Sequence, residues 1–223
     1  MNPIIVESRL EELMNGGILD KGSHMSFTEG ACAMEWVSYI AGLRHTDAPE
    51  CVSPVLRTFT INLNDGWDTE QRQKLVPLLP RMVGTNGDGQ DEARSYLALD
   101  WLIRTYTPAW LDLARWTEDA RALRDLPQIA DLVTAEQAGP VVCVVRNRAD
   151  ARWVATVDAA RDAAWDAARY AATGDAAWYA AAIDARIAAT DAQALRDLQP
   201  TVTMLQTSAL ELLDRMIDQP ICQ

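Results

Sequence analysis

Phenylalanine and histidine are scarce in this chain: each occurs twice in 223 residues. Two histidines exclude every site that needs three. Basic charge is short as well. Lys and Arg number 20 against 32 Asp and Glu, for a net charge of −12 and a pI near 4.5. The chain therefore lacks the basic footprint of a nucleic-acid binder, and no nucleic-acid partner is expected. No apolar run approaches the ~18 residues a membrane span needs. No basic region followed by an apolar stretch marks a secretory signal. The expectation is a cytoplasmic chain with no membrane partner. Four dispersed cysteines, Cys32, Cys51, Cys143 and Cys222, are expected to be reduced there. The signatures G-x-x-x-x-G-K-[ST], G-x-S-x-G, H-E-x-x-H and C-x-x-C are missing. No catalytic residue is assigned, and the reading inclines against an enzyme.

What is present is apolar and helical. Hydrophobic residues make up 49% and charged residues 23%, enough for a sizeable core. Eight tryptophans should dominate packing, and each buried indole N–H needs an acceptor. The acidity is uneven: residues 1–50 carry eight acidic and three basic side chains. Such a surface serves solubility, and it also attracts a basic partner.

Helix punctuation is dense. Ile4, Ile5, Leu10 and Leu13 fit a short amphipathic helix ended by Gly16-Gly17. Ser26 with Glu29 reads as a capping box that starts a helix closing at Gly42. Met34, Val37, Ile40 and Ala41 share its apolar face. Ser53 with Pro54 caps the next helix, and Asp68 starts another that "VPLLPRMVG" bends or ends. "GTNGDGQD", with three glycines in eight residues, reads as a flexible surface loop. "EARSYLALDWLIRTY" is helical, Thr107-Pro108 and Thr117 open two more helices, and "AGPVVCVVRNR" reads as a buried helix start. A last helix is expected from Thr201.

From Ala151 the composition turns Ala-rich, with Trp153, Trp165 and Trp178 spaced 12 and 13 apart. Gly174-Asp175 reads as a stop and a new N-cap, giving two long helices in an αα-hairpin. Tight packing of Ala-faced helices is one account. A partner-binding face carrying Trp165, Trp178 and Tyr179 is the other. Asp158–Arg161 and Asp166–Arg169 at i,i+3 spacing suit a solvated face. The fold class is all-α: a multi-helix orthogonal bundle with this hairpin at its C-terminal side. The expected organisation is a helical leader (1–21), a helical domain (22–135) and the hairpin with a terminal helix (136–223), packed as one globular unit.

One cluster could carry chemistry. His24, Cys32, Glu35, His45, Asp47 and Cys51 fall within 28 residues. His and Cys are natural zinc ligands and a carboxylate can complete the tetrahedron, so His24, Cys32, Glu35, His45 and Cys51 form a candidate metal set, with zinc as its cofactor. Cys32 sits near a helix N-terminus, where the macrodipole favours a thiolate. The competing account has Cys32 and Cys51 as small buried residues, with His24 and His45 fixing loops by hydrogen bonds. A Cys–His nucleophilic pair is a third account.

"GSHM" at residues 22–25 spells the remnant of a cleaved purification tag. A scar would interrupt a pattern, whereas this one leads into Ser26 and Glu29. Gly22-Ser23-His24, Gly30, Cys32, Met34-Glu35, Tyr39, Ala41-Gly42, Thr46-Asp47, Pro49, Cys51, Pro54 and Asn64-Asp65 together form a distinctive block. With it, the chain resembles a family of bacterial proteins, many actinobacterial, with relatives in bacteriophages. The likeness continues through "LVPLLPRMVGT", "DWLIRTYTPAWL" and "SALELLDRMI". It departs at Leu43-Arg44-His45, and the leader before Gly22 is particular to this chain. The resemblance implies a phage or actinobacterial origin but brings no activity. The Ala/Trp-rich helices are also similar in composition to those of certain immunity proteins.

The expected function is that of a non-enzymatic acidic module binding a host or phage protein, in a host-modulating or immunity-like role. The alternatives are a zinc-binding protein built on the His24–Cys51 cluster and an acidic DNA mimic. Arginines interspersed with aspartates weigh against the mimic. A homo-oligomer is a further alternative for the partner.

Overall fold

The structure, a computed structural model, describes residues 5–150 and 192–220. Over these residues the chain is all-α. Helices α1 (Glu7–Met14), α2 (Ala33–Ile40), α3 (Pro54–Gly66) and α4 (Thr69–Gln73) lead into a 3-10 helix, Val76–Met82. Helix α5 (Asp91–Trp101) continues through a π-turn, Leu102–Tyr106, into α6 (Thr107–Leu113). Helices α7 (Thr117–Arg124), α8 (Leu132–Asp150) and α9 (Ala192–Ile217) complete the described order. The expected Ala-rich hairpin, with Trp165, Trp178 and Tyr179, lies outside the described residues.

Helix α2 shows how local chemistry sets the boundaries. It does not begin at the expected Ser26–Glu29 box. Gly30 has φ +133°, a conformation that interrupts a right-handed helix, so residues 26–29 form only a turn. The N-cap is six residues later than Ser26. Cys32 is the N-cap, and Glu35 at N3 accepts the Cys32 N–H at 2.7 Å. At the other end Gly42 has φ +71°. Its N–H reaches the Tyr39 carbonyl, and the Leu43 N–H reaches Ser38. This is a Schellman stop. Between these caps Met34, Val37 and Ile40 are fully buried, as their spacing predicts.

Two expected caps hold, whereas Thr107 and Thr117 cap no helix: Thr107 continues from the π-turn, and Trp116 is the N-cap before Thr117. Ser53 Oγ accepts the Leu56 N–H and Pro54 occupies the first helical turn of α3. Asp68 caps α4 through the Gln71 N–H at 2.9 Å. Two prolines do not break their helices: Pro140 lies inside α8 and Pro200 inside α9. The last helix thus starts before the expected Thr201. In α8 the buried residues Ala135, Ala138, Val142 and Val145 form one stripe that runs past Pro140. Packing of that stripe outweighs the missing donor. Residue 136, an expected domain boundary, falls within this helix.

The leader is integral to the core, since Leu13 and Leu19 are fully buried. The 84–90 segment is anchored as well as solvent-facing. Gly84 and Asn86 donate to the Cys51 carbonyl, and Thr85 and Gln90 are buried. Asp88 pairs with the fully buried Arg94 of α5 at 2.5 and 2.7 Å. Arg94 also reaches the Thr85 carbonyl and, through Nε, the Met216 carbonyl at 2.9 Å, tying α9 to the bundle. Two buried indoles find acceptors: Trp36 on the Ile18 carbonyl and Trp101 on Ser208 Oγ. The Trp110 N–H is buried without a partner among the described residues.

Candidate functional site

The N-terminal end of α2 gathers most of the residue types that stand out in the sequence, around a single carboxylate. Glu35 is 1% exposed. Its Oε1 accepts the His24 main-chain N–H at 2.7 Å, and its Oε2 accepts the Cys32 N–H at 2.7 Å. His24 Nδ1 lies 2.9 Å from Oε2, so its N–H donates to the carboxylate. His45 Nε2 lies 3.3 Å from Oε1 and 2.9 Å from the His24 carbonyl, which makes Nε2 the protonated nitrogen. His45 Nδ1 is buried without a partner among the described residues.

Burial by itself would raise the Glu35 carboxyl. The two main-chain N–H bonds, the His24 side chain and the nearby His45 outweigh it, so the group titrates below the usual glutamate range. Glu35 is thus an ionised anchor that joins the 22–24 turn, the α2 N-terminus and the loop after α2.

The thiols behave otherwise than the helix dipole suggests. Burial pushes Cys32 up to about 12, and burial likewise raises Cys51. Desolvation and the adjacent Glu35 charge exceed the dipole at this site. Neither thiol is a ready nucleophile. Cys51 does not join the group around Glu35; its carbonyl anchors the 84–90 segment. Among the described residues no set of three or more His, Cys, Asp and Glu side chains is arranged to hold a metal. The roles observed for His24, His45 and the two cysteines are those of loop-fixing and buried side chains.

Further residues complete the arrangement. Asn64 of α3 accepts the Ala33 N–H and donates to the Asp20 carbonyl and to Asp65. Asp65 accepts the Gly22 N–H at 2.8 Å. Gln73 exchanges two hydrogen bonds with Leu19, donating to its carbonyl and accepting its N–H, each at 2.9 Å. The 22–25 segment is therefore bonded into the fold through its main chain, as a native turn would be. The Asn64-Asp65 pair stands out in the sequence block. Gln73 and Asp20 carry no signal there, because their partners lie far away along the chain.

Beside this network a cleft of about 260 Å³ opens, lined by Glu12, Gly16, Gly17, Ile18, Asp20, Phe27, Gly30, Ala31 and Trp36. Phe27 packs edge-on against Trp36 at 4.9 Å and against His45 at 5.4 Å, joining the cleft wall to the Glu35 network. Tyr39 lies 4.3 Å from Phe27 and donates its hydroxyl to Glu12 at 2.7 Å. The Asp20 carboxylate makes no hydrogen bond or ion pair among the described residues. Gly30 is required where it stands: a Cβ there would lie 2.6 Å from Asp20 Oδ2 and 3.0 Å from the His24 ring. Of its apolar lining residues, Ile18 is 62% exposed.

No described helix is long and apolar enough to cross a membrane. No family model, curated protein or solved structure matches the chain.

Proposed function

We propose that this chain is an acidic, non-enzymatic protein-interaction module that binds through its N-terminal cleft. The observation that carries this reading is the combination, in one cleft, of two carboxylates with no cationic partner among the described residues and the rings of Phe27 and Trp36. Aromatic side chains beside exposed aliphatic ones are typical of interface centres, and carboxylates at a rim steer a basic partner. Met14, Ile18 and Met25, three large apolar side chains left more than half exposed, belong to the same N-terminal segment. The net charge of −12 adds long-range attraction for a basic surface. The sequence resemblance supports a phage-encoded, host-modulating or immunity-like setting.

The test compares two baits, the wild-type chain and an Asp20→Lys/Glu12→Lys variant. The reading expects a stoichiometric partner on the first and its loss on the second. A partner retained equally by both would overturn the cleft as the binding face. No stoichiometric partner from host or phage extract would overturn the interaction reading itself.

A further inference from the structure

The cleft carries enough chemistry to specify the group that enters it. Three of its lining residues, Gly16, Gly17 and Gly30, contribute no side chains, so the main chain there is open to the incoming group. At about 260 Å³ it falls below the ~300 Å³ at which small-molecule pockets begin, so it suits one long side chain better than a cofactor. Its charged lining groups, Glu12 and Asp20, are both acidic, which excludes phosphates and carboxylates as occupants.

No cation of the described chain takes the place. Arg9 is committed to Tyr39, with Nη1 on the carbonyl at 3.0 Å and the guanidinium 4.6 Å above the ring. Lys21, next to Asp20, is exposed and makes no ion pair with it. One Glu12 oxygen holds the Tyr39 hydroxyl, while both Asp20 oxygens are uncommitted among the described residues. A two-oxygen acceptor beside aromatic rings matches a planar guanidinium better than an ammonium. The guanidinium binds a carboxylate through two N–H groups and stacks on ring faces.

We infer that the cleft receives an arginine side chain of the partner, its guanidinium on the Asp20 carboxylate with Glu12 alongside and its stem over Phe27 and Trp36. The inference rests on the interaction reading above. Gly30 belongs to the recognition, because a side chain there would displace the Asp20 carboxylate.

The experiment titrates the ¹⁵N-labelled full chain with N-acetyl-arginine amide and, in parallel, with N-acetyl-citrulline amide, its neutral isostere. The Trp36 indole N–H, which is bonded to the Ile18 carbonyl, and the Gly30 amide are the reporters. The inference expects saturable shifts at both with the arginine probe and none with citrulline at equal concentration. Asp20→Asn should weaken the response about fivefold or more, and Glu12→Gln should weaken it less. Neither substitution removes a core contact, and unchanged circular dichroism verifies the fold. Equal responses to both probes, shifts confined to other residues, or an unaffected Asp20→Asn variant would each overturn the inference. A partner that engages this face while the arginine probe leaves the reporters still overturns the inference and keeps the interaction reading. An arginine response without any protein partner supports the cleft's ligand chemistry and removes the interaction reading.

Discussion

Arg94 and Glu35, the two most deeply buried charges among the described residues, are satisfied in different ways. Arg94 is balanced by formal opposite charge, Asp88 and Asp91, with two main-chain carbonyls completing its donors. Glu35 has no Arg or Lys partner among the described residues; it is held by two main-chain N–H groups and two imidazoles. The first arrangement joins distant elements, α5 and α9, and a guanidinium stays charged at any working pH. The second organises a local turn and loop beside an open cleft. A fixed ion pair suits a structural tie. A carboxylate held by dipoles suits a surface whose shape must be set without cancelling the acidity around it.

The largest expected effect comes from breaking the tie. Arg94→Met should cost about 3 kcal/mol or more, because it leaves Asp88 and the Met216 carbonyl without their donors. A lowered urea midpoint with an unchanged slope would verify it. A cost under about 1 kcal/mol would show that solvent takes over the freed groups.

Glu35→Gln should cost about 2 kcal/mol, since an amide loses the charge-assisted bonds and turns a donor toward other donors. The loss should concentrate in residues 22–45, seen as faster amide exchange there, whereas Arg94→Met loosens the α5–α9 contact.

Acid sharpens the comparison. Glu35 and Asp88 both titrate below their ordinary values of 4.5 and 3.8 when folded. A depressed carboxylate stabilises the fold fully above its unfolded value, and that contribution is lost as the pH falls through the folded one. Unfolding free energy measured downward from pH 5 should therefore decline, and Glu35→Gln and Asp88→Asn should each flatten part of the slope. A slope unchanged in both variants would remove these two groups as its source.

A smaller effect is expected at Ser53, whose hydroxyl caps α3 and donates to Asp91 of the Arg94 group. Ser53→Ala should cost about 1 kcal/mol, and less in an Arg94→Met background if the two sites are coupled. The last prediction costs no stability. In the native protein at pH 8, iodoacetamide should modify the half-buried Cys143 before Cys32, whose thiol is pushed up to about 12. Peptide mapping reads the order, and early labelling of Cys32 would contradict its burial.

Much of the fold is legible in the sequence because its helix ends use local chemistry. Ser53-Pro54, Asp68 and Gly42 are read from a few neighbouring residues, and each acts as its type predicts. Legibility fails where a distant contact decides. Ser26–Glu29 has the letters of a capping box, yet the chain at Gly30 takes a positive φ so that Asp20 and His24 can approach it. Cys32 is the true cap, and cysteine is not among the residues that announce one. "AGPVVCVVRNR" and Thr201 read as helix starts, but both helices begin earlier and run through Pro140 and Pro200, with a buried stripe continuing past Pro140. The π-turn at Leu102–Tyr106 has no local signature in the chain.

The site is legible by residue type and not by role. The histidines and the Cys32 main chain do converge on Glu35, where they act as donors to a carboxylate. The cleft escapes sequence reading because Glu12, Asp20, Phe27 and Trp36 come from separate segments, brought together by hydrogen bonds from Asn64 and Gln73.

The stretch from Ile18 to Asp20 has no regular secondary structure, yet its main chain is almost fully engaged. The Ile18 carbonyl holds an indole, Leu19 uses both its groups on Gln73, and Asp20 uses both on Ala31 and Asn64. Such a segment exchanges its Leu19 and Asp20 amide protons slowly, as a strand in a sheet does. Under the proposed reading an incoming partner meets a wall already in its final shape, so encounter rather than rearrangement sets the association rate. A change at the exposed Ile18 side chain leaves this wall as it is, because Ile18 contributes to it through its main chain.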